Sequence, residues 1–597
     1  MQSDFGYSEE KDIGKPYDIK LLKRLWPYTR PYWVTLICAV FLIIIITVLD
    51  ISMPYIIKIA IDKYIVPQDL AQVLDIEQKI QGVSLAAAVF LIVIIFNFLL
   101  NFVQVMIMEY AGQGIMHDLR IKLFAHIQSL PVPFFNKTPI ARLVTRNTND
   151  IQNMHELFTS VIVFVFKDMF LLIGIALVLL SIRWQLALAC FTLLPFVIYS
   201  SFYFARKARD AFRTLRIKTS EINNRFSETI SGIKVIQIFR QEAQNYKKLK
   251  KINHEFYIAG MEQIRIFAMF MPLVELFNST ALALVIYFGG GSVVSDKISL
   301  GVLVAFISYM RMFFNPIRDI AEKYNILQNA MSSAERIFIL IDEPVRKKHE
   351  HVIKSGRIEK IEFDNVYFEY VKDEPVLKGI SFEIKAGETI AIAGPTGSGK
   401  TSLINLITRF YDIDSGEIRI NGHDIQKWDI GDLRSRIALV TQDPFLFSDS
   451  VKNNIIQQKD GISHTDFLEI LKASNCDEFI HQLSQGADTI LSEGGGSISS
   501  GERQLISIAR AFARNPELII LDEATSYIDS ETEVRIQDAV SNLMQNRTSI
   551  VVAHRLSTAR NADSIIVINK GRIIESGTHE KLMENKGFYY KLNQLQK

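Results

Sequence analysis

The chain has 597 residues, several times the usual domain length, so at least two domains are expected. Hydrophobic residues make up 49% and charged residues 22%, and the mean hydropathy is positive. This is the balance of a very apolar region diluted by ordinary soluble sequence, and it excludes an intrinsically disordered chain and a small secreted scaffold. Sixty-six Lys and Arg against 64 Asp and Glu leave a net charge of +2, which gives no general reason to expect nucleic-acid binding. Cys38, Cys190 and Cys476 are too few for a disulfide framework and fall in no cluster with zinc-ligand spacing, so they are expected as small core residues. The first thirty residues carry Lys11, Lys15, Lys20, Lys23 and Arg24 with no apolar stretch, so no cleaved secretory signal is expected.

Residues 18–26 put Ile19, Leu22 and Leu25 near one face and Lys20, Lys23 and Arg24 elsewhere, as in a helix lying in a membrane interface. Trp26, Tyr28, Tyr32 and Trp33 fit a headgroup belt; an ordinary amphipathic helix has the same pattern. Crossing a bilayer takes roughly 17–25 mainly apolar residues. Six stretches qualify: 33–49, 84–108, 157–182, 186–205, 267–294 and 300–314. The last is short and includes Arg311, and it is included partly because the topology calls for an even count. Basic residues resist translocation and so mark cytoplasmic loops. Arg120, Lys122, Lys137, Arg142 and Arg146 lie between the second and third spans, and residues 206–265 hold fourteen Lys or Arg. The opposite loop, 62–82, has only Lys63 and Lys79 against Asp62, Asp69, Asp75 and Glu77. Both termini are therefore expected in the cytoplasm, and a multi-pass protein of the cell (inner) membrane is expected. The basic loops are themselves patterned as helix, so the spans are expected to continue as helices beyond the bilayer. Among in-span ionisable residues, Lys167 and Asp168 lie at snorkelling depth, whereas Arg311, Glu275 and Asp50 are the candidates for lining a cavity. The charged run Glu343-Pro344-Val345-Arg346-Lys347-Lys348 marks the boundary between a membrane domain, 1–343, and a second domain, 344–597.

From Ile361 onward, short β-rich runs alternate with helical ones, the pattern of an α/β domain. The expected fold class is a six-span α-helical membrane domain fused to an α/β nucleotide-binding domain. The apolar run Thr389-Ile390-Ala391-Ile392-Ala393 leads into Gly394-Pro395-Thr396-Gly397-Ser398-Gly399-Lys400-Thr401, with Ser402 next along a helix. This matches the phosphate-loop pattern at every fixed position. Glycines let backbone N–H groups and a helix N-terminus converge on phosphate oxygens, Lys400 would reach the β- and γ-phosphates, and Thr401 would bind Mg²⁺. A second apolar run, Leu518-Ile519-Ile520-Leu521, ends in Asp522 and Glu523. Strand C-termini of α/β sheets deliver side chains to the ligand crevice. Asp522 suits Mg²⁺ through its hydration shell, and Glu523 could polarise the water that attacks the γ-phosphate.

With these motifs the chain resembles an ABC exporter half-transporter over nearly its full length. The resemblance implies roles for further residues. Tyr370 matches the aromatic that stacks on adenine, Gln442 the glutamine that touches Mg²⁺ and follows the membrane domain, and His554 the switch histidine on the γ-phosphate. Ser526-Tyr527-Ile528-Asp529 occupies the D-loop, and Glu493-Gly494-Gly495 resembles the exporter X-loop. ATP and Mg²⁺ are the implied cofactors, and the implied activity is ATP-driven export of a drug, lipid or peptide by alternating access. The expected partners are membrane lipids, a small amphiphilic substrate and a second half-transporter, with no nucleic acid. An ATP-gated channel or regulator and a homodimeric lipid flippase are the alternatives.

The departure from the family lies in its signature, Leu-Ser-Gly-Gly-Gln, which here reads Ile498-Ser499-Ser500-Gly501-Glu502. In the family this segment caps the γ-phosphate bound to the other subunit. Ser500 adds a side chain where backbone approaches phosphate, and Glu502 puts a carboxylate in place of an amide. Heterodimeric members pair a chain with a competent glutamate and an altered signature with one having the reverse defects, and this sequence resembles the first kind. Tolerated variation is the plainer alternative, since Ser499 and Gly501 remain. Finally, residues 136–143, with Thr138 before Pro139, and residues 231–237 resemble the two coupling segments that carry dimer closure to the spans.

Overall fold

The computed structural model describes residues 19–66, 75–346, 356–457, 461–522, 529–553 and 559–595. The chain divides into two compact units, residues 1–129 with 138–344, and residues 130–137 with 345–597.

The first unit is helical. Among its described residues, five helical stretches are long and apolar enough to cross a membrane: Lys23–Ile65, Ile76–Ser129, Ile140–Phe191, Glu242–Val294 and Leu300–Ile317. They contain the expected spans at 33–49, 84–108, 157–182, 267–294 and 300–314. The expected span 186–205 falls on two successive helical stretches rather than on one. Arg183 adopts extended backbone (φ −157°, ψ 92°), which ends the helix begun at Val163. The chain resumes as helix to Phe191; Thr192 and Leu193 keep right-handed helical dihedrals but interrupt the regular ladder before the helix Leu194–Ser231, which has Pro195 in its first turn. From Leu194 the apolar run lasts only to Ala205 before Arg206.

Burial in this unit runs opposite to that of a soluble protein. None of the apolar window of Ile76–Ser129 is buried, whereas 56% of Leu300–Ile317 is. Hydrocarbon is as good a solvent for Leu and Ile as a protein core, so lipid-facing helices keep their apolar side chains outside and reserve the interior for close packing. That interior is built by Ile175, Leu179, Val274, Ala281, Phe306 and Tyr309. Cys190 belongs to it, but Cys38 is exposed, which corrects the expectation that all three cysteines are core residues. Several polar groups within the helices find partners, as a medium without water favours, although Asn278 Oδ1 and Ser201 Oγ have none among the described residues. Tyr309 donates to the Ile51 carbonyl at 2.7 Å. Asp50 accepts from Asn97 Nδ2 at 2.8 Å, and Asn97 Oδ1 accepts from Asn101 Nδ2 at 2.6 Å. Asp62 takes the Ser299 hydroxyl at 2.6 Å and the Gly301 N–H at 2.8 Å, closing the start of the last long helix, Leu300–Asp342.

The helices extend well past bilayer thickness. Ile76–Ser129 has 54 residues, about 80 Å at 1.5 Å per residue. One buried carboxylate joins the extensions. Asp150 accepts from Arg336 Nη2 at 2.5 Å and Nε at 3.1 Å, from Arg146 at 2.8 Å and from the Ser333 hydroxyl at 2.9 Å. The short helix Ile19–Thr29 is held by Arg24, which grips Asp342 through two bonds of 2.8 and 2.6 Å and lies 4.4 Å over the Phe338 ring.

The second unit contains ten strands among its described residues: β1 Lys360–Glu369, β2 Pro375–Lys385, β3 Thr389–Ala393, β4 Ser415–Ile420, β5 His423–Asp424, β6 Ile437–Val440, β7 Leu518–Asp522, β8 Thr548–Ala553, β9 Ser564–Asn569 and β10 Arg572–Gly577. An antiparallel sheet runs β2-β1-β4-β5, and a six-stranded sheet runs β10-β9-β3-β8-β7-β6, parallel except for its β10 edge. The helix Lys400–Ile407 buries Leu403, Ile404, Leu406 and Ile407 in the core that both sheets share with Phe363 and Ile392. A second core surrounds the helix Ser500–Arg514. It contains Cys476, whose thiol pKa burial pushes up to about 12, so this cysteine is inert packing rather than a nucleophile.

Removing the Asp150 carboxylate leaves two arginines facing each other without a counter-charge. Asp150→Ala is expected to cost about 3 kcal/mol, read as a lower midpoint for thermal unfolding of the detergent-purified chain; an unchanged midpoint would deny the network a structural role.

Candidate functional site

The order of the parallel strands decides which residues meet. β8 lies between β3 and β7, with Ala393 opposite Ala553 and Asp522 opposite Val552. β6 adjoins β7, with Val440 opposite Leu521. The C-terminal ends of β3, β8, β7 and β6 therefore share one edge of the sheet, at strand spacings of about 4.8 Å. From that edge depart the loop 394–399, residues following Ala553, Asp522 at the end of β7, and Gln442 two residues beyond β6. Glu523, Ser526, Tyr527, Ile528 and His554 lie outside the described residues.

The loop from Gly394 to Gly399 is shaped as an anion receptor. Gly399 precedes the helix Lys400–Ile407 with φ +107°, and a Cβ there would meet Leu377 Cδ2 at 2.6 Å, so only glycine fits. Gly397 has φ +79° with nothing within 4 Å of a notional Cβ, which leaves open space over the loop. The helix has no side-chain cap, so its first N–H groups are available to a ligand. Lys400 is buried, and its Nζ donates to the carbonyls of Gly394 at 2.8 Å and Pro395 at 3.1 Å. An ammonium has three N–H donors, so one has no partner among the described residues. Burial holds its pKa below the ordinary lysine value, opposed by the charge of Asp522. The Ser398 hydroxyl is buried with no hydrogen-bond partner among the described residues. A buried cation, an orphaned hydroxyl and unbonded helix N–H groups together fit a polyphosphate. Pro395, Thr396 and Thr401 are exposed around them, and Ser402 is buried beneath. The hard oxygen donors at the same edge, Thr401, Gln442 and Asp522, are the set that Mg²⁺ prefers.

Tyr370 directly follows β1 and is 39% exposed, so it is not the core tyrosine that its strand-favouring neighbours would also allow. Its hydroxyl donates to Ser402 Oγ at 3.1 Å and accepts from Asn405 Nδ2 at 2.9 Å, tying the ring to the helix after the loop.

At the signature, Ser499 and Glu502 form a reciprocal capping box. The Ser499 hydroxyl oxygen accepts from the Glu502 N–H at 3.2 Å, and the Glu502 carboxylate accepts from the Ser499 N–H at 2.7 Å. The carboxylate is thus folded back onto the helix N-terminus, where the helix dipole stabilises it. Gly501 is buried in the first turn. Asp529 likewise caps the helix Ser530–Met544, accepting from the Thr532 N–H at 2.9 Å, and that bond holds its carboxyl below the usual range. Glu493–Gly495 forms a tight turn in which Gly494 and Gly495 are left-handed (φ +66° and +71°).

Two groups of residues escaped the sequence reading. Arg510, on the signature helix, donates to the Asn454 carbonyl at 2.6 Å and the Phe445 carbonyl at 2.6 Å, joining that helix to the segment after Gln442. Its helical spacing relative to Arg503 and Arg514 offered no sign of this. Tyr411 accepts from Asn136 Nδ2 at 2.6 Å across 275 positions of sequence, which no local pattern encodes.

A multispan helical unit fused to an α/β unit with a polyphosphate receptor at the edge of a parallel sheet defines a membrane-bound nucleotide triphosphatase. Residues 36–317 match the model of the ABC transporter transmembrane region, and residues 377–526 match that of the ABC transporter ATP-binding part, described as "ABC transporter". The chain is 38% identical to the "Uncharacterized ABC transporter ATP-binding protein YknV" of Bacillus subtilis (strain 168), over 98% of this chain and 96% of that one. It is 35% identical to an "ATP-dependent lipid A-core flippase" of Syntrophus aciditrophicus (strain SB), over 99% and 96%. It is also 35% identical to a "Fatty acid ABC transporter ATP-binding/permease protein" of Mycobacterium tuberculosis (strain CDC 1551 / Oshkosh), over 86% and 82%. The chain belongs to the ABC transporter family. It is an integral membrane protein whose activity is ATP hydrolysis coupled to export, with ATP and Mg²⁺ as cofactors.

Loss of the Glu502 side chain frees the Ser499 N–H. In Glu502→Ala, hydrogen exchange of a peptide covering residues 496–502 should accelerate about fivefold, whereas Glu502→Gln, which keeps an acceptor, should change it less. Equal exchange in wild type and Glu502→Ala would mean the box is not formed in solution.

Proposed function

We propose that the chain is the catalytic-glutamate half of a heterodimeric exporter, carrying an amphiphilic substrate outward by alternating access. The observation that carries this reading is the convergence on one sheet edge of the loop 394–399, the buried Lys400 and Asp522. In this reading the loop N–H groups, Lys400 and the Ser398 hydroxyl bind the β- and γ-phosphates, and Tyr370 seats the adenine. Thr401, Gln442 and Asp522 hold Mg²⁺, which when bound neutralises phosphate charge. Glu523 follows Asp522 and takes the proton of the attacking water; His554 follows Ala553 and bears on the γ-phosphate.

The membrane domain, 1–343, has six spans in this reading, the fourth assembled from residues 184–191 and 194–205 across the interruption at Thr192 and Leu193. That count puts both termini and the domain 344–597 on the cytoplasmic side with the basic loops. The second coupling segment is the short helix Ile233–Ile238, whose Val235 and Ile238 are exposed, as a docking tip would be. For the first segment, two short helices flank Thr138: Val132–Lys137 and Ile140–Thr145. Pro139 is the N-cap of the latter rather than its first helical residue.

The capping box supports the unequal partnership. Glu502 holds the Ser499 N–H and brings negative charge to the donors that would face a triphosphate on the other subunit, which weakens that second site. An intact signature from a different chain would complete the site containing Lys400 and Glu523. The names of the relatives, a lipid A-core flippase and a fatty-acid transporter, favour an amphiphilic cargo.

Glu523→Gln should leave ATP binding within about threefold of wild type and lower steady-state hydrolysis about 10²- to 10⁴-fold. Wild-type turnover by that variant would remove Glu523 from the role of base. The heterodimer is tested by purifying the chain without a partner: weak, non-cooperative ATPase activity is expected, and vigorous cooperative turnover by a self-dimer would replace it with a homodimer.

A further inference from the structure

The helix Lys400–Ile407 has two functional ends. Its N-terminus is the polyphosphate receptor, and its C-terminus runs into the stretch Arg409–Asp412. Arg409 ends the helix in the left-handed region (φ +51°), and its buried guanidinium donates to the Trp428 carbonyl at 2.8 Å. Non-glycine residues take this conformation only when their surroundings hold them there, so the stretch is firmly placed. Arg434 adds bonds to the Thr408 and Arg409 carbonyls at 3.1 and 3.0 Å.

Two connecting segments are anchored on this stretch. Arg346, close after the helix Leu300–Asp342, bonds to the Arg409 carbonyl and the Asp412 carboxylate. Asn136 lies in Leu130–Lys137, the excursion between the helices Ile76–Ser129 and Ile140–Thr145, and that excursion belongs to the same compact unit as the nucleotide site. Its amide donates to the Tyr411 hydroxyl at 2.6 Å. The Tyr411 ring meets the Tyr370 ring edge to face, with centroids 5.0 Å apart at 89°, and both pack against Phe368. Tyr370 is bolted by its hydroxyl to Ser402 and Asn405 of the same helix. A continuous set of contacts therefore runs from Tyr370 through Tyr411 to Asn136.

We propose that Tyr411 is the positioning residue by which occupation of the nucleotide-base seat at Tyr370 is felt by the segment Leu130–Lys137. The proposal rests on the reading of Tyr370 as that seat. Tyr411 does not touch the reacting atoms. A purine base lying on Tyr370 restrains its ring, which restrains the Tyr411 ring packed edge-on against it, and the Asn136 bond tightens with them. Coupling of this kind is reciprocal: whatever the base does to the segment, holding the segment does for the base. The triphosphate bears on the loop 394–399 and Lys400 rather than on the Tyr370 and Tyr411 rings, so a probe without a base separates the two effects.

The test uses the full chain in lipid nanodiscs with two probes at saturating concentration, the non-hydrolysable ATP analogue AMP-PNP and inorganic tripolyphosphate, which has no base. The readout is hydrogen exchange of a peptide spanning residues 130–137. In wild type, AMP-PNP should slow exchange about fivefold, the scale of one hydrogen bond, and tripolyphosphate should slow it less than twofold. Tyr411→Phe keeps the ring and loses only the hydroxyl. It and Asn136→Ala should each abolish the AMP-PNP effect while binding AMP-PNP within tenfold of wild type. The double variant should do no more than either alone. Full AMP-PNP protection in Tyr411→Phe, or equal protection by tripolyphosphate in wild type, would overturn the proposal. Failure of the underlying reading looks different: Tyr370→Ala would then weaken AMP-PNP and tripolyphosphate equally, instead of AMP-PNP alone.

Discussion

A cation buried in a loop of backbone donors is the constraint around which the second unit is organised. Lys400 gives two of its three N–H groups to carbonyls of its own loop, and the third has no partner among the described residues. Burial opposes its charge, and an uncompensated ammonium in such a place is costly. A polyanion would offset that cost. The rest of the unit serves this geometry. β3 must be central so that its loop opens at the middle of the edge, β7 must lie two strands away to bring Asp522 close, and the helix Lys400–Ile407 must be buried along its length to hold its N-terminus still.

The same economy of polar groups governs the membrane unit with the solvent inverted. Apolar side chains face outward, and several polar side chains within the helices have a protein partner: Asp50 with Asn97, Tyr309 with the Ile51 carbonyl, Asp62 with Ser299 and Gly301. Beyond the bilayer the helices re-enter water, and there charge takes over. Asp150 with Arg146 and Arg336, and Arg24 with Asp342, fasten extensions that also bury Ile115, Leu119, Leu123, Ile151 and Met154. Within the second unit, Asn136 and Arg346 are both anchored on residues 409–412, at the end of the helix Lys400–Ile407.

Much of this was legible in the amino-acid order because the physics involved is local. An apolar pentapeptide followed by glycines, lysine and threonine can be read as strand, loop and helix without tertiary information, and uncharged runs such as 84–108 need only be counted. Hydropathy does not register interruptions of a helix: residues 186–205 are uncharged throughout, yet they fall on two helical stretches that meet at Thr192 and Leu193. The signature shows a different limit. Ser499 and Glu502 have the spacing of a capping box, and they were weighed as phosphate donors and a misplaced charge rather than as each other's partners. Contacts such as Asn136 with Tyr411, and Arg510 with Phe445, depend on the folded register of distant segments and leave no trace in composition or spacing.

The central claim, that one buried charge makes the loop a triphosphate receptor, is tested most directly by equilibrium binding of Mg·ATP to the chain carrying Lys400→Met, which keeps the length and packing of the side chain and removes only the ammonium. Binding should weaken about 10- to 100-fold, the worth of a charge-assisted hydrogen bond in a buried site. Wild-type affinity in that variant would contradict the account.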